Sequence, residues 1–172
     1  MQKTLWITRT AVMAALLVAL QWVTKPLGQF VTGSCVNLVL ATAALVGGLW
    51  CGLTVAIISP FFAFLVGVGP ALFPLVPLVS VGNAVLVMIL WALCREKKLS
   101  ALSFVAVALA AVGKFLTLWL LVVKLAVPAL HLPEAAAAVM SLSFSWPQLI
   151  TAAIGGTLAV TLSPVIRKAV EK

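Results

Sequence analysis

A single lysine set deep in an apolar run is the residue best placed to do chemistry in this 172-residue chain. Lys114 lies thirteen residues into the stretch from Ala101 to Val127, about 20 Å from its start at ~1.5 Å per helical residue. An ammonium at that depth in a bilayer costs at least ~2.5–3.5 kcal/mol, so it calls for a polar cavity or a partner. The three acidic residues lie elsewhere: Glu96 and Glu134 fall between apolar runs and Glu171 at the C-terminus. The missing counter-ion then belongs to a ligand, most simply a carboxylate; bonding to backbone carbonyls or snorkelling is the alternative. Four amides reach the same half of the molecule on other runs. Gln21 lies near the outer end of the first, Asn37 and Asn83 in the first turns of the second and fourth, and Gln148 at the start of the last. They suit hydroxyl or amide groups of a ligand, or they bridge helices as polar glue. Trp146, beside them, either stacks on a ligand or anchors an interfacial aromatic belt.

What is missing narrows the chemistry further. The only histidine, His131, falls in a loop, and no carboxylate lies among the apolar runs, so general acid–base work has no agent there. Serines and cysteines have no base beside them. Ion-coupled carriers relay protons or sodium through buried carboxylates, which these runs lack. Gly113-Lys114-Phe115 sits in mid-helix and is no phosphate-binding loop. The chain reads as a non-enzyme without cofactor or metal, and a solute binder of this kind must borrow its energy.

The elements that position these residues follow from composition. Apolar residues make up 65% of the chain and charged ones 8%, against roughly 25% charged in soluble domains. Mean hydropathy is +1.29. These values exclude a soluble globule, a disordered tail and a nucleic-acid-binding domain, despite a net charge of +8. The expected fold is all-α, one transmembrane domain over residues 1–172 with six helices, each needing about 20 apolar residues. The runs are Leu5 to Val23, Cys35 to Val46, Leu49 to Gly67 interrupted at Ser59-Pro60, Leu78 to Cys94, Ala101 to Val127, and Pro147 to Ile166. A short Ala-rich helix follows Glu134. The first run, which follows Lys3 and contains Arg9, reads as a retained helix rather than a cleaved signal.

Cations set the orientation. Lys3, Arg9, Arg95, Lys97, Lys98, Arg167, Lys168 and Lys172 fall on one side when both termini are cytoplasmic, leaving Lys25 outside and Lys124 near the outer end of the fifth helix. The protein is then a multi-pass protein of the cell membrane. Lys124 lies ~80° around its helix from Lys114 and faces elsewhere. Cys35, Cys51 and Cys94 read as small apolar residues, with a disulfide or metal site as the alternative.

Ala11, Ala15 and Ala19 recur every four residues along the first helix, with Ala14 on the neighbouring face. Such a stripe admits close approach of another helix, within the chain or on a partner. Size, topology, stripe and pocket depth together resemble the substrate-binding (S) components of energy-coupling factor (ECF) transporters, over the whole chain. The resemblance implies that Ala11 and Ala15, extended by Ala19, dock onto a transmembrane coupling subunit served by two cytoplasmic ATPases. It implies an outer pocket closed by loops, here residues 24–34 and 68–77, with Gly28, Gly33, Gly67 and Gly69 giving them freedom. It implies capture of a vitamin or related micronutrient, followed by toppling of the small body in the membrane. Pantothenate satisfies both the lysine and the amides; biotin, lipoate, nicotinate and tryptophan stay open. A self-contained facilitator or channel and a structural subunit of a membrane complex are the competing readings. Lys114→Met is expected to weaken solute binding more than tenfold while leaving the fold intact.

Overall fold

A bilayer offers the backbone no hydrogen-bond partners, so each apolar run must satisfy its own amides as a helix. The computed structural model describes residues 2–94 and 99–170, and side chains over 4–94 and 99–170. The expected charged loop Arg95-Glu96-Lys97-Lys98, together with Glu171, Lys172 and the Lys3 side chain, lies outside these residues. Among the described residues, seven helices of ten or more residues carry the fold: α1 (Gln2–Thr24), α2 (Gly28–Thr42), α3 (Leu49–Val66), α4 (Val76–Leu93), α5 (Ala101–Leu118), the short α6 (Glu134–Ser143) and α7 (Trp146–Val170). Ala43–Gly47 prolongs α2 as a π-turn, and Trp119–Ala126 prolongs α5 in the same way.

Among the described residues, five helical stretches are long and apolar enough to cross a membrane: Thr4–Gly47, Leu49–Val66, Phe73–Leu93, Ala101–Ala129 and Glu134–Val170. The sequence pattern predicts six crossings. The difference lies in the first stretch, whose 44 residues are helical almost without a break. It is nevertheless a hairpin, because α1 packs on both α2 and Ala43–Gly47, which no straight helix allows. The reversal is made by Lys25–Leu27 and by Gly28, whose φ of 82° favours glycine.

Two boundaries differ from expectation for physical reasons. Residues 24–34, which the resemblance makes a pocket-closing loop, form the reversal and the first turns of α2. Gly33 is there for close packing, since a Cβ at that position would lie 3.0 Å from the Thr151 methyl. Ser59-Pro60 does not interrupt α3. Proline has no N–H for the carbonyl four residues back, that of Ala56. The Ser59 hydroxyl donates to that carbonyl instead, at 3.3 Å, and the helix continues.

The long helices close a ring in the order α1, α3, α4, α5, α7, α2. Its outer surface is apolar, with Trp50 and Leu65 71% and 77% exposed, while Asn37, Ser59, Asn83, Lys114 and Thr151 are buried inside. That inversion of a soluble protein suits a lipid surround. One end of the ring is packed solid by Leu40, Val55, Leu86, Val87 and Leu90, with Cys51 and Cys94 among them as free thiols. Arg9 and Arg167 belong to this end: Arg9 neighbours Cys51, and Arg167 donates to the Leu45 carbonyl.

The tightest helix pair is α2 with α7. A Cβ on Gly155 would sit 2.5 Å from the Ser34 carbonyl oxygen and 2.6 Å from the Leu38 nitrogen, both backbone atoms. Gly155→Ala must therefore part the two helices, at a cost of about 1–3 kcal/mol as for other overpacked cores. The expected result is a lowered melting temperature in detergent; an unchanged one would show that the pair yields freely.

Candidate functional site

Each of the six ring helices sends at least one polar side chain into a cavity of about 470 Å³: Gln21, Asn37, Ser59, Asn83, Lys114 and Gln148, one from each. That volume lies within the ~300–1,000 Å³ usual for small-molecule sites. The cavity occupies the end of the ring opposite Arg9 and Arg167, and reaches exposed residues at Lys25, Gly28, Gln29 and Gly67.

Lys114 is its centre, 3% exposed, in the middle of the 29-residue stretch Ala101–Ala129. Its ammonium donates to Asn37 Oδ1 at 2.6 Å and to Asn83 Oδ1 at 2.7 Å. Charge-assisted bonds of this kind are shorter and stronger than neutral ones. Both amides are held from behind. Asn37 Nδ2 donates to the Gly33 carbonyl (2.9 Å) and Thr151 Oγ1 (3.3 Å); Asn83 Nδ2 donates to Ser59 Oγ (3.2 Å). The hydroxyl that repairs the proline in α3 thus also orients Asn83. An ammonium has three donors, and two are engaged by the protein. No carboxylate faces it among the described residues, where Glu134, exposed at the start of α6, is the only acid.

The remaining expected residues divide. Gln148 lines the cavity and donates through Nε2 to the Ser143 carbonyl at 3.1 Å. Gln21 lines it too, 2% exposed, and its Oε1 has no hydrogen-bond partner. Trp146 does not line it: it is 50% exposed and packs on Phe30, ring centroids 5.7 Å apart. Lys124 is exposed, its ammonium 4.8 Å over the Trp119 ring, away from the cavity. Ala11, Ala15 and Ala19 are exposed on α1. Ala15 and Ala19 border an apolar groove of about 600 Å³ between α1 and α3, with Trp22 and Phe62.

Sequence reading missed Ser59, Thr151 and Met140, whereas the mouth is lined by residues of the two segments, 24–34 and 68–77, that the resemblance places over the pocket. Ser59 was hidden behind its proline. Thr151 had a signal, three residues after Gln148 and so on the same helical face. At the mouth, Lys25 Nζ donates to the Val66 carbonyl (3.0 Å) and Gln29 Nε2 to the Ser143 carbonyl (2.7 Å), tying the α1–α2 reversal to the ends of α3 and α6. Gly67 to Ala71 and Met140 complete the rim. Lys114→Met deprives two buried amide oxygens of their donor, so a loss of stability is expected alongside any loss of binding. No protein-family model, curated protein or solved structure matches the chain.

Asn83→Leu tests the centre directly. Removing one acceptor from a buried ammonium is expected to cost about 1.5–3 kcal/mol, read as an earlier denaturation midpoint in detergent. Stability equal to the parent protein would mean that Lys114 does not depend on this amide.

Proposed function

We propose that this protein captures a small carboxylate-bearing solute in the cavity around Lys114 and passes it to an ATPase-driven partner, as an S component of an ECF-type importer. The observation that carries the reading is a buried ammonium with two amide acceptors, one free donor and no carboxylate facing it among the described residues. A solute carboxylate completes that set. A water-soluble vitamin or related micronutrient, pantothenate for example, has the right chemistry and fits the cavity's size.

Several features support the rest of the proposal. The α1–α2 hairpin has two arms, Gln2–Thr24 and Gly28–Gly47, and at ~1.5 Å per residue the shorter arm reaches about 30 Å, the thickness of a hydrocarbon core. Both arms crossing gives six membrane helices. Arg9 and Arg167 lie at the end away from the cavity, so the positive-inside rule turns the cavity mouth outward and both termini to the cytoplasm of a plasma-membrane protein. The exposed Ala11, Ala15 and Ala19 leave the face of α1 free for a coupling subunit, which brings the two ATPases that the chain itself lacks.

Two variants test separate halves of this reading. Lys114→Met should weaken solute binding to the isolated protein more than tenfold, measured by calorimetry at a temperature where the variant remains folded. Ala15→Trp should abolish uptake in cells while solute binding to the isolated protein survives, because the substitution fills a docking face and not the cavity. Uptake unaffected by Ala15→Trp, with flux in liposomes free of ATPases, would favour a self-contained facilitator. A protein that binds no solute in any form would favour a structural subunit.

A further inference from the structure

Hydrogen-bond accounting inside the cavity specifies its solute more closely, given the capture role proposed above. The Asn37 and Asn83 amide nitrogens are engaged by Gly33, Thr151 and Ser59, and their oxygens by the ammonium. Gln148 Nε2 is engaged by Ser143. These three amides, expected from sequence to read the solute, instead hold the scaffold. Two polar features stand out among the buried lining groups: the third donor of Lys114, and Gln21 Oε1. That oxygen is the one buried side-chain N or O atom without a partner among the described residues.

The two are opposite in character. Lys114 offers a proton to an anion, whereas a carboxamide oxygen can only accept. A buried acceptor is unfavourable unless something donates to it, and no protein group among the described residues does. We infer that the solute carries, besides its carboxylate, an O–H or N–H group that donates to Gln21 Oε1, and that Gln21 is the residue selecting for it. Carboxylates without such a donor strand the oxygen and are rejected. A site built around a hydrogen bond discriminates strongly against analogues that lack it. Lipoate and nicotinate, whose only exchangeable proton is that of the acid, fall in the rejected class. Pantothenate, biotin and amino acids fall in the accepted one.

The test is native mass spectrometry of the full chain purified in detergent, read for a co-purifying small molecule. The released molecule is then fragmented and exchanged in deuterium oxide. The expected result is an acid with at least one exchangeable hydrogen beyond its carboxyl proton. Lipoate and nicotinate added in excess should fail to displace it. Gln21→Met should retain it at about a tenth or less of wild-type occupancy, the loss expected for a buried hydrogen bond. A released acid without a further exchangeable hydrogen, displacement by lipoate or nicotinate, or wild-type occupancy in Gln21→Met each overturns the inference and leaves the capture role standing. No retained molecule on the wild-type protein, with no binding of pantothenate, biotin or tryptophan, overturns the capture role and the inference with it. If Gln21→Met does not fold, the exchange count and the displacement experiment decide on the wild-type protein alone.

Discussion

A buried ammonium in an apolar bundle must be surrounded by oxygen, and much of this structure follows from that demand. Lys114 reaches two amide oxygens, one on α2 and one on α4, so a single side chain on α5 fixes three helices at one level. The demand then propagates outward. Asn37 is turned with its oxygen to the ammonium by its nitrogen, which donates to the Gly33 carbonyl and to Thr151 on α7. Asn83 is held in the same sense by Ser59 on α3. Five of the ring helices are thereby joined through one connected polar network. Networks of this kind are strong when complete and costly when broken.

The lipid solvent explains why the network sits inside a shell of small residues. Between helices already surrounded by hydrocarbon, burying apolar surface gains little, so association depends on close packing and interhelical hydrogen bonds. Gly155 lets α7 meet the backbone of α2, Gly52 lets α3 come within contact of Ala44, and Gly82 leaves room for Leu118. At each of these positions a Cβ would meet a neighbour at less than 3.0 Å. Close packing brings polar side chains into register, and the polar side chains keep the helices from sliding. Neither alone would give one arrangement.

The fold class was legible because hydropathy acts locally: apolar runs of the right length have no other stable state in a bilayer. Lys114 was legible for the same reason, since an ammonium in such a run announces a need. What the need would be met by was not legible. Sequence places Asn37, Asn83 and Gln148 at the right depth, yet gives no sign that their donors are turned toward Gly33, Ser59 and Ser143 rather than into the cavity. Ser59-Pro60 reads locally as a break and becomes continuous helix only because the preceding hydroxyl replaces the lost N–H. Gly33 reads as a loop residue and is a packing residue, a role visible only once α7 is beside α2. Trp146 shows the opposite error: adjacency to Gln148 in sequence suggested a shared site, but the helix turns its ring onto Phe30 at the surface.

The asymmetry of the ring also bears on the capture role proposed above. Polar cavity fills one end, while the other is closed by Leu40, Val55, Leu86, Val87 and Leu90, each less than 2% exposed. A charged solute bound at Lys114 meets a close-packed apolar plug below it and its route of arrival above it. Interiors packed to this density shift between discrete arrangements rather than opening by degrees. A channel needs a continuous wet path, and a carrier that rocks its helices about the site would have to part α2 from α4 and α5, breaking the bonds of a buried ammonium. Moving the whole body with the solute in place breaks none of them. Capture followed by displacement of the intact ring against a partner, the mode implied by the proposed role, is thus the one that leaves the Lys114 bonds whole.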